Sequence, residues 1–520
     1  MSRAILKNTG LVGLVTLVSR ITGMVRDVAL AQVLGAGVLQ DAFLVAFKIP
    51  SFLRRLFAEG AFSQSFVPVI SEYRLNRSHA EVRELVSGVV GTLGGVLLVL
   101  TAVGVLAAPL IILLYAPGFS AVHGKVALAA AMLHWTFPYL LFISLTALFS
   151  SVLNSYQRFF LPAFTQTIMN LVLILFAVWF AAHSANPGVV LAIGVFVAGC
   201  CQLAIQLPAV ARLGLLGWPR WQPRAEGVRR IGRLMLPGIF GSSMAQVSLV
   251  LNTIIASFLV SGSVSWLYFS DRLMEFPLGV FSVALATVML PGLAAQHARR
   301  STEEFSATLD WALRLTLVLV TPAAVGLFCF AIPITATVFG YRRFNPHDVA
   351  MSAYALMAYA WGLLAFSLVK VLAPGYFARQ DTRTPVRAGV IALGCSTLLN
   401  IVVVLPAWRL GFPIPHVLLA ASTGVGSLLN TWLLWRGLHR DGVLRLSAIW
   451  RSFLPRLVGA NLVMAVLLYL LAGSLAGWLA LPARARVLRC VLGILAGAAV
   501  YVGALFAFGL RYRDMRTRPI

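Results

Sequence analysis

"LVGLVTLVSRITGMVRDVALAQVLGAG", Leu11 to Gly37, has the length and apolarity of a membrane helix, yet it carries Arg20, Arg26 and Asp27 near its middle. Each of these costs a few kcal/mol or more at bilayer depth. Either the stretch does not span, or its polar face has somewhere other than lipid to go. Composition decides the first point. Of 520 residues, 60% are hydrophobic and 11% charged, where a soluble domain of this size carries about a quarter charged. The mean hydropathy is +0.90. The chain reads as an all-α polytopic membrane protein, and the arginines must be explained inside a membrane.

The basic start, "MSRAILKNTG", invites a signal-peptide reading. No small-residue cleavage site follows and arginines interrupt the run, so the first helix is expected to be retained. The five cysteines (Cys200, Cys201, Cys329, Cys395 and Cys490) lie in apolar segments without paired spacing and read as small core residues.

A window of about 20 residues gives about fourteen spans: 9–34, 38–62, 86–116, 126–154, 162–183, 188–211, 232–260, 264–294, 311–338, 349–377, 386–407, 415–436, 452–474 and 487–510. The net charge of +25 suggests nucleic acid until its distribution is read. Arg3, Lys7, the loops after even-numbered spans and the tail hold 26 of the 41 Lys and Arg. The opposite loops hold seven: Lys125, Arg342, Arg343, Arg409, Arg484, Arg486 and Arg489. That asymmetry predicts both termini in the cytoplasm and no nucleic-acid partner.

The longest connection, "RLGLLGWPRWQPRAEGVRRI" (212–231), falls near the midpoint and reads as a cytoplasmic linker along the membrane surface. The chain repeats itself on either side. Tyr156, Pro162 and Asn170 recur in order as Tyr376, Pro385 and Asn400, and Pro50 and Pro68 recur as Pro277 and Pro291. The expected organisation is an N-terminal lobe of six helices (1–216), a linker (217–231), a C-terminal lobe of six (232–440), and two extra helices with a basic tail (441–520). Six helices per copy keep both copies in one orientation, as parallel repeats.

Arg314 lies near a span end and is expected to snorkel. The other membrane-depth cations are Arg20, Arg26, Lys48, Arg54, Arg55, Arg272 and Lys370. On span two, Asp41, Lys48 and Arg55 recur every seven residues, a drift of about 20° per step, and Glu59 extends the stripe. On span eight, Asp271 and Glu275 flank Arg272 on one face. These groups number seven cations against five anions (Asp27, Asp41, Glu59, Asp271 and Glu275), so pairing among them cannot neutralise the cations. Such a surplus reads as a water-filled cavity between the lobes, and arginine forks match phosphate oxygens. An anionic, phosphorylated substrate is expected.

"SRITGMVRD", "GAGVLQDAFLVAFKIPSFLRRLFAEGAFSQSFVPV", "DRLMEFPLGVF" and "ARQDTRTP" resemble the hallmark stretches of the MurJ (MviN) family of lipid II flippases, within the multidrug/oligosaccharidyl-lipid/polysaccharide exporter superfamily. The resemblance runs through the whole chain. It implies fourteen helices in two lobes around a cationic cavity, with the last two forming a groove for the polyprenyl tail. It implies substrate-binding roles for Arg20, Arg26, Asp41, Arg54, Arg55 and Arg272; Glu59 and Glu275 fall in its matching motifs, and Lys48 joins the expected substrate-binding set from the stripe on span two. Relatives that bind sodium use a carboxylate on the seventh helix. Span seven here has none, which leaves Asp381, before span eleven, as a weak metal candidate.

The function so implied is movement of undecaprenyl-diphosphate-linked disaccharide-pentapeptide (lipid II) to the periplasmic leaflet, for peptidoglycan and cell wall synthesis. No cofactor is expected, only a membrane potential or ion gradient. Partners would be the lipid substrate, membrane lipids and the cell wall synthesis machinery. An exporter of drugs or another oligosaccharide-lipid is the alternative, but a drug exporter would offer carboxylates to cationic drugs. A membrane enzyme would need catalytic acids or metal ligands; the eight histidines are scattered, with no HExxH pair. No enzymatic activity is expected.

Overall fold

The computed structural model describes residues 3–55 and 62–510, all helical or loop, with no strand among them. The chain divides into two compact units, Met1–Val264 and Ser265–Ile520. The first unit holds α1 (Arg3–Leu34), α2 (Val38–Arg54), α3 (Ser63–Asn76), α4 (His79–Leu106), α5 (Ala108–Tyr115), α6 (Lys125–Thr136), α7 (Tyr139–Ser155), α8 (Phe160–Leu175), α9 (Pro187–Ala211) and α10 (Glu226–Phe258). The second holds α11 (Ser263–Pro277, whose first two residues belong to the first unit), α12 (Val283–Ala298), α13 (Thr302–Cys329), α14 (Ala331–Val338), α15 (Pro346–Phe377), α16 (Arg383–Leu399), α17 (Leu405–Arg409), α18 (Pro415–Arg440), α19 (Trp450–Ala472), α20 (Leu475–Ala480) and α21 (Ala483–Ala507).

Among the described residues, ten helical stretches are long and apolar enough to cross a membrane. They coincide with the third to sixth and ninth to fourteenth spans expected from sequence. The first, second and eighth spans fall on α1, α2 and α11–α12, the helices that carry the interior charges. The seventh falls on α10, of which Gln246–Phe258 is an apolar segment.

Local chemistry sets the helix ends. Ser78 and Glu81 form a reciprocal capping box that opens α4, and Asn345 and Asp348 do the same for α15. The C-termini of α7, α9, α12, α15, α18 and α21 close through a left-handed residue: Gln157, Gly214, Arg300, Gln380, Gly442 and Gly509. In the first, the Arg158 amide reaches back to the Leu153 carbonyl at 2.9 Å, and in the fourth Asp381 reaches Tyr376 at 3.1 Å. These are one Schellman closure, built on a glutamine at matching points of the repeat. The same ends carry Arg158, Arg212, Arg299, Arg379 and Arg440, whose charge complements the helix dipoles.

The repeat also shows in the helix breaks. Proline-bearing α2 and α11 each run into a π-helical turn, at Arg55 and at Leu278–Ser282. The asparagine-bearing α8 and α16 continue into π-turns at Phe176–Phe180 and Asn400–Val404. Where the sequence reads as a loop after span two, Ser63–Asn76 is helical. Its Phe66, Val69 and Ile70 pack on Val82, Val86, Leu148 and Val152, so an apolar face of only a few residues suffices to hold it.

A candidate anion-handling site on charged membrane helices

The opening arginines separate into two kinds. Arg26 is buried, and its Nε and guanidinium Nη2 donate to Asp27 Oδ1 at 3.0 and 2.6 Å. Its Nη1 donates to Asn170 Oδ1 at 3.1 Å, while Asn170 Nδ2 donates to the Ser19 carbonyl and the Thr22 hydroxyl. Arg26 therefore fastens α1 to α8. Arg20 sits six residues earlier, about 120° around the helix. It is half-buried and makes no hydrogen bond or ion pair among the described residues.

The stripe on α2 runs from a buried end to an open one. Asp41 is buried and accepts from Lys125 Nζ at 2.9 Å and from the Gly262 amide at 2.8 Å. Lys125 is itself 3% exposed, donates to the Ser261 hydroxyl at 3.3 Å, and lies over the Phe119 ring. Beside it the Gly118 amide donates to Ser257 Oγ. Lys125, expected in a loop, is thus the buried counter-ion of Asp41; the short turn before α6 folds inward because the carboxylate is there. Lys48 and Arg54 follow half-buried. Arg55 is exposed at the end of α2 and makes no hydrogen bond or ion pair among the described residues. Glu59 lies outside the described residues.

In the second unit Arg272 donates to Glu275 at 3.2 Å, one turn along α11, with Asp271 half-buried beside it. Lys370 is exposed on α15. Asp381 caps α16: its carboxylate accepts from the Thr384 amide at 3.0 Å and the Thr384 hydroxyl at 2.6 Å. Those bonds, the hydroxyl foremost, hold its pKa below the usual carboxylate value.

Two buried charge clusters escaped the sequence reading. Arg314, expected to snorkel, is buried and pairs with Asp310 at 3.1 Å; the Asp310 carboxylate also accepts from Ser447 N and Oγ and from Trp450 Nε1. The loop before α19 folds over the end of α13 and closes off the water that snorkelling needs. The i, i+4 spacing of Asp310 and Arg314 was the available signal. Arg486, expected in a loop, is buried and donates to the carbonyls of Ala336, Gly340, Leu479 and Leu481 at 2.8–3.2 Å. It caps the open C-terminus of α14 without any carboxylate, a role that spacing cannot disclose.

A cavity of about 790 Å³ opens between α3, α4 and the stretch of chain before α10, lined by Tyr73, Arg77, Glu84, Trp221, Arg224 and Glu226 among others. With Glu81 it presents three carboxylates to two guanidiniums, so it does not suit a diphosphate.

The chain matches the family model described as "Lipid II flippase MurJ" over residues 30–483. It is 41% identical to the "Probable lipid II flippase MurJ" of Vibrio cholerae over 525 residues, covering 99% of this chain and 98% of that one. It is 41% identical to the "Lipid II flippase MurJ" of Burkholderia cenocepacia, covering 97% of each. Among solved structures, "Lipid II flippase MurJ, inward closed conformation" superposes with a TM-score of 0.79 at 26% identity, covering 97% of this chain and 99% of that one. A multidrug MATE transporter matches at a TM-score of 0.61 and 13% identity, which shows a shared fold alone. With charged helices, a repeated architecture and full-length similarity in agreement, this multi-pass membrane protein belongs to the MurJ family of lipid II flippases.

Proposed function

We propose that this chain carries lipid II from the cytoplasmic to the periplasmic leaflet of a bacterial inner membrane by alternating access, supplying cell wall synthesis. It does so by transport alone, without bond chemistry. The observation that carries the reading is the division among the α1 and α2 arginines. Arg26 is committed to holding helices together, whereas Arg20 and Arg55, at membrane-helix positions, make no hydrogen bond or ion pair among the described residues. An unpaired arginine in such a place is costly unless something anionic visits it. A diphosphate offers the bidentate acceptor geometry that a guanidinium fork matches. Arg272, with Lys48 and Arg54, completes the cationic set, and Asp41 acts through the Lys125 junction. Lipid II is the partner this chemistry recognises, because the relatives bearing that name align over nearly the whole chain.

The proposed topology keeps fourteen spans with both termini cytoplasmic, supported by the basic closures at the C-termini of α7, α9, α12, α15 and α18. Movement of the cationic set couples flipping to the membrane potential, at about 2.3 kcal/mol per charge per 100 mV. The test is leaflet-resolved accessibility of lipid II in cells that depend on the variant. Arg20→Ala and Arg55→Ala are expected to abolish flipping at normal membrane abundance, with Arg→Lys retaining part of it. Normal flipping by the Arg20→Ala, Arg55→Ala double variant would overturn the proposal.

A further inference from the structure

The segment between α9 and α10, residues 212–225, is not a free linker. It lies as an extended strap in a groove that α4 makes from glycines. A Cβ on Gly91 would sit 2.3 Å from the Arg220 carbonyl oxygen, and one on Gly95 would sit 2.6 Å from the Trp221 ring. The strap is hydrogen-bonded there as well: the Arg220 amide donates to the Ser87 carbonyl at 3.1 Å, and the Gln222 amide to Thr92 Oγ1 at 3.1 Å. The His79 ring bonds the Leu213 carbonyl at 2.9 Å, and Leu215 is buried in the core of the unit.

What the strap presents outward is unusual for a fixed segment. Trp218 is 89% exposed and Trp221 62% exposed. Six arginines (Arg212, Arg220, Arg224, Arg229, Arg230 and Arg233) are exposed between 212 and 233, with Glu226 the one carboxylate in that stretch. Among the described residues only Arg230 of the six has an acidic partner, Glu72 at 2.9 Å. Depth follows from the helix the strap is pinned to. The exposed apolar side chains of α4 and α5 begin with Val96, Leu98 and Val99, just past Gly95, and continue to Leu114. The Trp221 contact on Gly95 is therefore made where that apolar surface begins, and amphipathic indoles settle at such a boundary. The arginines flank it on the strap and at the start of α10.

We propose that this strap is a binding site for anionic phospholipid headgroups. Trp218 and Trp221 seat in the interface, and Arg212, Arg220, Arg229 and Arg233 take the phosphates. Arg224 borders the cavity with the carboxylates and is left out. Fixing the strap on the glycine groove holds these side chains in one array, so the site favours anionic over zwitterionic lipid beyond what a loose basic loop would do. The inference holds whichever leaflet faces the strap and does not depend on the substrate proposed above.

The test uses the full chain in vesicles of phosphatidylcholine with phosphatidylglycerol, with bromine on the acyl chains of one lipid or of the other, and reads tryptophan quenching. The brominated anionic lipid is expected to quench at least about twofold more than brominated phosphatidylcholine at equal mole fraction, falling as ionic strength rises. The difference should vanish in the R212Q/R220Q/R229Q/R233Q variant, persist in the corresponding lysine variant, and vanish in W218F/W221F, each checked for an unchanged melting temperature. The lysine variant also covers the case in which the glutamine variant fails to fold, since its retained preference separates charge from structure. Equal quenching by both lipids in the unmodified protein would overturn the proposal and leave a soluble partner as the strap's occupant. So would a preference that survives removal of the four charges.

Discussion

Asp41 and Asp310 are both buried carboxylates on membrane helices, each neutralised by a buried cation. They differ in where their partners come from. Asp310 takes its cation from one turn along its own helix and its further donors, Ser447 and Trp450, from the loop before α19 and the first residue of that helix. Asp41 takes its cation from Lys125, 84 residues away, and an amide from Gly262, 221 residues away. The first arrangement is a joint, complete once α13 and the loop before α19 meet. The second is a clasp drawing together segments from three parts of the first unit. It holds only while all of them are in place. Ionic groups in a membrane protein thus serve opposite ends, and burial alone does not say which.

The largest expected effect tests the joint. Asp310→Ala takes the paired carboxylate from the buried Arg314 and removes the acceptor for Ser447 and Trp450, a loss of about 3–5 kcal/mol. Thermal unfolding in detergent should show it, together with reduced membrane abundance. Asp310→Ala with Arg314→Met should regain most of the loss. A single variant as stable as the parent would dissolve the contrast with Asp41.

The clasp should be softer. Lys125→Met leaves Asp41 with its Gly262 bond but without this cation, and because that amide stays in place the expected loss is about 1–3 kcal/mol. Adding Asp41→Asn should return part of it. A loss as large as that of Asp310→Ala would make the clasp a second joint.

The smallest effect belongs to the surface. The Arg230 guanidinium, through its hydrogen bond, holds the exposed Glu72 carboxyl below its ordinary value of 4.5. A depressed folded-state pKa contributes stability above the unfolded value and loses it as pH falls through the folded one. Glu72→Gln should therefore lower the melting temperature slightly at neutral pH, and the difference should close below about pH 4.5. A gap that widens in acid would reverse the sign of that pair.

Hydropathy and charge bias, which are sums over local sequence, determined the class, ten of the spans, the sidedness expected from the loops and the repeat. The repeat was legible in Tyr156, Pro162 and Asn170 against Tyr376, Pro385 and Asn400 because turn and helix-packing residues recur where the backbone must do the same thing twice. Local sequence also singled out α1, α2 and α11 as helices with charges to explain. It could not sort those charges. Arg20 and Arg26 look equivalent in "SRITGMVRD", and only Asn170, 144 positions beyond Arg26, makes one of them structural. Lys125 and Arg486 read as loop cations until the chain folds a carboxylate or a set of helix-end carbonyls onto them. Solvation of a charge depends on everything within a few ångströms, whatever its distance along the chain. The sequence alone therefore determined that the membrane holds charge, and only the tertiary structure decided which charges hold the protein together and which make no ion pair among the described residues.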